Sequence, residues 1–202
     1  MTELERALGD IAEVRDRLAA AQRFKGYSGL AAIISGIFAL AAGVVQAVLI
    51  GMPRTVHDGR VYFAIWFVCC ALSLAINYGA IAHWFVNDAS ARDRWQTRTV
   101  GFSILPAVLF GAALSLAMLR FEGIALLPGI WYGIYGIGLI ASRLTVPRGV
   151  LLIGFAFLAL GFVLLFVSAS IALQPWTMAA GFGAGQIAIG ILVVRERNEI
   201  PS

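Results

Sequence analysis

Very few side chains inside the long apolar stretches of this chain can make a directed bond. Asn77, Tyr135 and Gln186 are uncharged, polar and near the middle of hydrophobic runs; Ser73 lies one turn before Asn77, and Gln46 lies nearer the end of the first run. An unpaired amide in hydrocarbon costs roughly a few kcal/mol, so each of these groups must face protein. Two uses are open. Each could make an interhelical hydrogen bond worth roughly 0.6 kcal/mol. Alternatively, Asn77, Tyr135 and Gln186 could converge as the polar anchors of a ligand pocket, with Trp131, Tyr132, Tyr135 and Phe182 as its aromatic walls.

Other chemistry is missing. No Asp, Glu, Lys or Arg falls in the middle of an apolar run. Proton-coupled transport normally needs an intramembrane ionisable relay, so its lack argues against a pump or antiporter, though not against a carrier of neutral solutes. The two histidines, His57 and His83, fall at opposite ends of one run. A haem would therefore need His83 with a non-histidine ligand, or His83 from two protomers. Cys69 and Cys70 are adjacent, about 100° apart on a helix, which reads as packing rather than a disulfide. There is neither a His-Glu-x-x-His zinc motif nor a phosphate loop. Gly26-Tyr27-Ser28-Gly29 is similar to the Gly-x-Ser-Gly of rhomboid proteases, but no histidine occurs in a late run to act as its base.

The elements that must carry these residues follow from composition. Apolar residues make up 60% of the 202, charged residues only 13%, and the mean hydropathy is +0.88. A soluble domain carries roughly 25% charged residues, so this chain cannot cover a water-facing surface. Six apolar runs, at 28–50, 61–84, 101–119, 123–142, 150–171 and 176–194, each approach the ~20 residues needed to cross ~30 Å of hydrocarbon. The expected fold is all-α and polytopic, with a cytoplasmic helix in residues 1–25, a six-helix transmembrane bundle over 26–197 and a short tail at 198–202. Of the fifteen Lys and Arg, twelve fall on the side holding both termini, and only Arg54, Arg60 and Arg120 on the other. Basic residues are retained in the cytoplasm, so both termini are expected inside. The acidic start does not read as a cleavable signal peptide. The basic residues flank apolar runs and form no stripe, which argues against nucleic-acid binding.

Residues 2–22 read as an amphipathic helix. Thr2 and Glu5 match a capping box. Leu4, Ile11 and Leu18 recur every seven residues, as do Ala7, Val14 and Ala21, an a/d pattern over nearly three heptads. Residues 1–25 carry five acids and five bases, whereas a surface-lying helix wants a strongly basic face. Packing through Leu4, Ile11, Val14 and Leu18 is expected, against a second copy or the inner loops.

Small residues recur at helical spacing: Gly29, Gly36 and Gly43; Gly129, Gly133 and Gly136; Gly154, Gly161 and Ser168; Gly181, Gly185 and Ala188. Such stripes let helices approach closely in lipid. Pro106 and Pro128 each predict a mild kink in the third and fourth runs. Trp66, Trp131 and Trp176 begin the even runs at the outer interface and Trp84 ends the second at the inner one, which reads as an aromatic belt. Successive odd–even runs suggest three degenerate hairpins.

Leu127-Pro128-Gly129-Ile130-Trp131, and Pro175-Trp176-Thr177-Met178 followed by Gly181-Phe182-Gly183-x-Gly185-Gln186, resemble uncharacterised bacterial six-span inner-membrane proteins. The resemblance runs through most of the chain and implies the same span count and location; it carries no activity. The leading expectation is a non-enzymatic homodimer binding an apolar ligand or cofactor (lipid, quinone or haem) or a regulatory partner. The alternative is a facilitator or channel for a small neutral solute, and a lipid-modifying enzyme comes third.

Overall fold

The computed structural model describes Leu8 and residues 26–87, 89–142 and 146–199. No strand occurs among them. Six long helices follow one another among the described residues: α1 (Gly29–Leu49), α2 (Val56–Asn87), α3 (Ala91–Arg120), α4 (Leu127–Ala141), α5 (Arg148–Phe166) and α6 (Pro175–Glu199). A 3-10 turn at Ile124–Leu126 precedes α4, and a single turn at Ala169–Ala172 lies between α5 and α6. Among the described residues five segments are long and apolar enough to cross a membrane: Gly29–Leu49, Val56–Asn87, Ile124–Ala141, Gly149–Phe166 and Pro175–Glu196. Leu109–Arg120, at the end of α3, is a further apolar helical stretch. Large apolar side chains such as Leu30, Val48, Phe67, Phe110, Leu152 and Phe166 point outward, as in a bundle surrounded by hydrocarbon.

Local chemistry sets the helix ends. Ser28 Oγ accepts the Ala31 N–H and opens α1. The N–H groups of Ile50 and Gly51 both reach the Gln46 carbonyl and close it, with Gly51 at φ +56°, where a side chain would be strained. Ahead of the second apolar run, the N–H groups of Arg54 and Thr55 donate to Asp58 and hold its carboxyl below the usual carboxylate range. Ser90 and Asp93 form a capping box that starts α3 at Ala91, well before the apolar run at 101. Hydropathy marks the stretch that suits hydrocarbon; the cap marks where the helix begins, so α2 and α3 extend past their apolar runs.

Two expectations are corrected by backbone bonding. Pro128 does not kink a span. It stands in the first turn of α4, where no intrahelical donor is needed, and the Ile124 carbonyl accepts the Leu127 N–H in the 3-10 turn. The fifth run does not continue to 171. Its helix ends at Phe166, Val167 and Ser168 are extended, and the chain resumes as a single turn.

The helices close into a ring in chain order, each beside its sequence neighbours, with α6 returning to α1. The tightest seams are α1–α6 and α4–α5. The hairpin partners α3–α4 and α5–α6 meet only lightly, so the closest pairs are not the three hairpins that the loops suggest. In the α1–α6 seam a Cβ at Gly29 would lie 2.6 Å from the Gly190 carbonyl, one at Gly36 2.7 Å from the Gly183 carbonyl, and one at Gly43 2.5 Å from Ala179 Cβ. The α4–α5 seam is similar: a Cβ at Gly136 would meet Leu158 N at 2.6 Å and one at Gly161 would meet Gly133 N at 2.7 Å. Both pairs run antiparallel, and backbone touches backbone.

Position 133 supplies the contrast, because a Cβ there has nothing within 4 Å. Gly36→Ala and Gly136→Ala are expected to destabilise the bundle by about 1–3 kcal/mol through forced helix separation. Gly133→Ala should change stability by less than about 0.5 kcal/mol. Reversible unfolding in mixed micelles measures all three; equal losses would contradict the seams.

Candidate ligand-binding site

The candidate residues divide among three places. Tyr132, Tyr135, Phe182 and Gln186 come together, on α4 and α6. Gln186 Nε2 donates to Tyr135 Oη at 2.7 Å. The Tyr132 hydroxyl donates to the Thr177 carbonyl, and Thr177 Oγ1 donates in turn to the Ile171 carbonyl at 2.8 Å. Between the two tyrosines lie Phe157 of α5 and Phe182 of α6, with ring centroids 5.1 Å apart. Tyr132 meets them at 5.2 and 4.8 Å, and Tyr135 at 4.9 and 5.4 Å. These are the edge-to-face and tilted arrangements that aromatic quadrupoles favour.

Glycine makes this cluster possible. A Cβ at Gly181 would fall on the Tyr132 hydroxyl, and one at Gly185 would lie 2.4 Å from the Phe157 ring. The glycines of α6 therefore serve three neighbours. Gly183 and Gly190 meet α1, whereas Gly181 and Gly185 admit rings from α4 and α5. At the arginine-rich end of the bundle, Tyr27 packs beside Val150, Ile189 and Tyr135; burial pushes its hydroxyl above the usual tyrosine range, and a bond to Ser142 offsets part of that rise.

Trp131 points elsewhere. Its Nε1 donates to Ser115 Oγ of α3 at 2.8 Å, and its ring lies parallel to Tyr62 of α2, with centroids 6.4 Å apart. Asn77 is separate again: its Nδ2 donates to Ser35 Oγ of α1 and to the Ser73 carbonyl, both at 2.8 Å. The convergence expected of Asn77, Tyr135 and Gln186 thus reduces to Tyr135 with Gln186, because Asn77 spends its amide on the α1–α2 contact. Leu4, Ile11, Val14 and Leu18 lie outside the described residues.

The most heavily used polar side chain is Gln46, fully buried in α1. Its Nε2 donates to the carbonyls of Gly51 (3.0 Å) and Leu173 (2.9 Å), and its Oε1 accepts from Trp66 Nε1 at 2.8 Å. One amide joins the α1–α2 loop, the α5–α6 connection and α2. Trp66 is accordingly a buried core residue rather than a belt anchor, whereas Trp176 is exposed and retains that reading. Gln46, as the lone amide of α1, was visible in the sequence; its three partners were not. Phe157 was missed, although it shares a helix face with Gly154 and Gly161. Ser35, Tyr62 and Ser115 carried no signal beyond being polar in an apolar run.

The chain matches no protein-family model, no curated protein and no solved structure. Function must therefore be argued from geometry. His57 and His83 are both exposed and stand roughly 39 Å apart along α2, at 1.5 Å per residue. One chain cannot bring both to one metal. Cys69 is buried and Cys70 is exposed, about 100° apart around α2. Among the described residues no group of three or more His, Cys, Asp or Glu side chains comes together. What the interior offers is aromatic surface with hydrogen-bonding hydroxyls and amides, suited to an apolar partner bearing one or two polar atoms.

Removing the Gln46 amide strands the Leu173 and Gly51 carbonyls and the Trp66 indole. Gln46→Leu should destabilise by about 2–4 kcal/mol. A double-mutant cycle with Trp66→Phe should show coupling of at least about 0.5 kcal/mol, and strict additivity would count against the shared bond.

Proposed function

We propose that this chain is a non-enzymatic, six-span protein of a bacterial inner membrane that forms a homodimer and binds an apolar ligand or cofactor. The carrying observation is the meeting of Tyr132, Tyr135, Phe182 and Gln186 around Phe157, inside a bundle whose apolar runs hold no mid-run charge. The six apolar runs and the resemblance to six-span proteins favour the span count. The twelve basic residues on one side favour both termini in the cytoplasm. The heptad in residues 2–22 favours pairing through Leu4, Ile11, Val14 and Leu18, with a second copy as partner. Lipid, quinone and haem are the candidate ligands; haem would draw on His83 from two protomers.

A second reading, a facilitator for a small neutral solute, is favoured by the position of the rings. Phe157 and Phe182 separate the Tyr132 hydroxyl, bonded towards the short-loop end, from the Tyr135–Gln186 pair. Such rings could act as a plug between two polar sites.

Gently purified protein should carry a stoichiometric lipid or quinone by mass spectrometry, or show a Soret band if haem is bound. A ligand-free sample whose proteoliposomes pass glycerol, with faster flux in Phe182→Ala, would favour the facilitator instead.

A further inference from the structure

Tyr62 is fully buried in α2, and its hydroxyl is the one buried side-chain polar atom without a hydrogen-bond partner among the described residues. Its surroundings make this more telling. The neighbouring Trp66 and Trp131 indoles donate to Gln46 Oε1 and Ser115 Oγ, and the Tyr132 hydroxyl donates to the Thr177 carbonyl. Each polar neighbour is committed and this one is not. Native interiors rarely leave such a group unpaired, because the lost bonds to water are not replaced. A phenylalanine would fill the same space without that cost.

The ring's neighbours lead out to the lipid. Phe67 is exposed and stacks on Phe63 at 5.9 Å; Phe63 meets Trp131 at 6.4 Å; and Trp131 lies within 3° of parallel to Tyr62. Phe63 and Trp131 are only half-buried. A continuous series of rings therefore leads from the outer surface of α2 to the Tyr62 ring, whose face lies parallel to Trp131 of α4. Flat faces along this route favour a flat guest, and a buried hydroxyl that makes no hydrogen bond among the described residues favours one that brings its own acceptor.

We propose that Tyr62 donates a hydrogen bond to the carbonyl oxygen of a planar, uncharged, membrane-soluble ligand of the quinone class, which enters from the lipid between Phe63 and Trp131 as these rings turn. This rests on the apolar-ligand reading above, gives that ligand one chemistry and one anchoring atom, and seats it at the Tyr62–Trp131 face rather than within the Tyr132–Tyr135 cluster. The uncompensated hydroxyl is then a stability cost retained for binding.

The test compares wild type with Tyr62→Phe in detergent micelles, with decyl-substituted benzoquinone and decylbenzene as probes. Without ligand, Tyr62→Phe should melt higher by about 2–4 °C. The quinone should quench tryptophan fluorescence of the wild type with saturation, and Tyr62→Phe should bind it about tenfold more weakly, the value of one hydrogen bond. Decylbenzene should bind both proteins equally and more weakly than the quinone binds wild type. Equal quinone affinity in the two proteins overturns the proposal, as does a variant that melts no higher, since the hydroxyl would then already be satisfied. If decylbenzene matches the quinone on wild type, Tyr62 is not the anchor, although apolar-ligand binding stands. If neither probe binds and the purified protein carries no ligand, both readings fall together.

Discussion

Along the α1–α6 seam, backbone meets backbone. Gly29 faces Gly190, Gly36 faces Gly183, and Gly43 faces Ala179, so the two backbones approach closely, with Ile33, Leu40, Ile187 and Val194 packed alongside. In hydrocarbon there is no hydrophobic gain from joining apolar helices, and close van der Waals approach is what holds them. The seven-residue recurrence keeps the small positions on one stripe for the length of α1. This contact joins the first long helix to the last and turns a chain-ordered row of helices into a ring. With α6 drawn in to α1, its remaining face looks into the ring, where Gly181 and Gly185 admit Tyr132 and Phe157. The α5–α6 connection is brought to Gln46 in the same way.

Polar groups then fasten what the glycines bring together. The Gln46 amide ties two connections and α2 to α1; Asn77 joins α2 to Ser35; Trp131 joins α4 to Ser115 of α3; Gln186 joins α6 to Tyr135 of α4. Each bond is modest, but each replaces an unpaired group that hydrocarbon would penalise. These side chains are therefore largely engaged in structure. Tyr62 stands apart by having no such engagement, and for that reason it says most about what the bundle could hold.

Much of the architecture was legible because hydrophobic run length reports directly on the medium. The helices of the first, fourth and sixth runs lie close to where hydropathy puts them; those of the second and third outrun it because the Thr55–Asp58 and Ser90–Asp93 pairs start them earlier. The small-residue faces were legible too, but not their partners. Periodicity says which side of a helix can be approached, and only the closed ring says by which neighbour. Hence Tyr135 and Gln186 meet as their mid-depth positions suggested, whereas Asn77, at similar depth, turns to a serine on α1. Trp66 sits where a belt residue would, yet the side-chain amide oxygen of Gln46, one helix away, draws it into the core. Pro128 looked like a kink because a run of apolar residues does not reveal that the first turn is 3-10.

Oxidative cross-linking at the seam tests this account most directly. In a background with Cys69 and Cys70 replaced by alanine, Gly43→Cys and Ala179→Cys place two thiols on facing positions of α1 and α6, which link once the helices part locally by about 1 Å to reach the ~3.8 Å between the Cβ atoms of a disulfide. The ring predicts rapid disulfide formation within one chain, seen as a monomer of shifted mobility that reverts on reduction. A chain that stays unlinked, or that links only to a second copy, would show that α1 and α6 of one chain do not close the bundle.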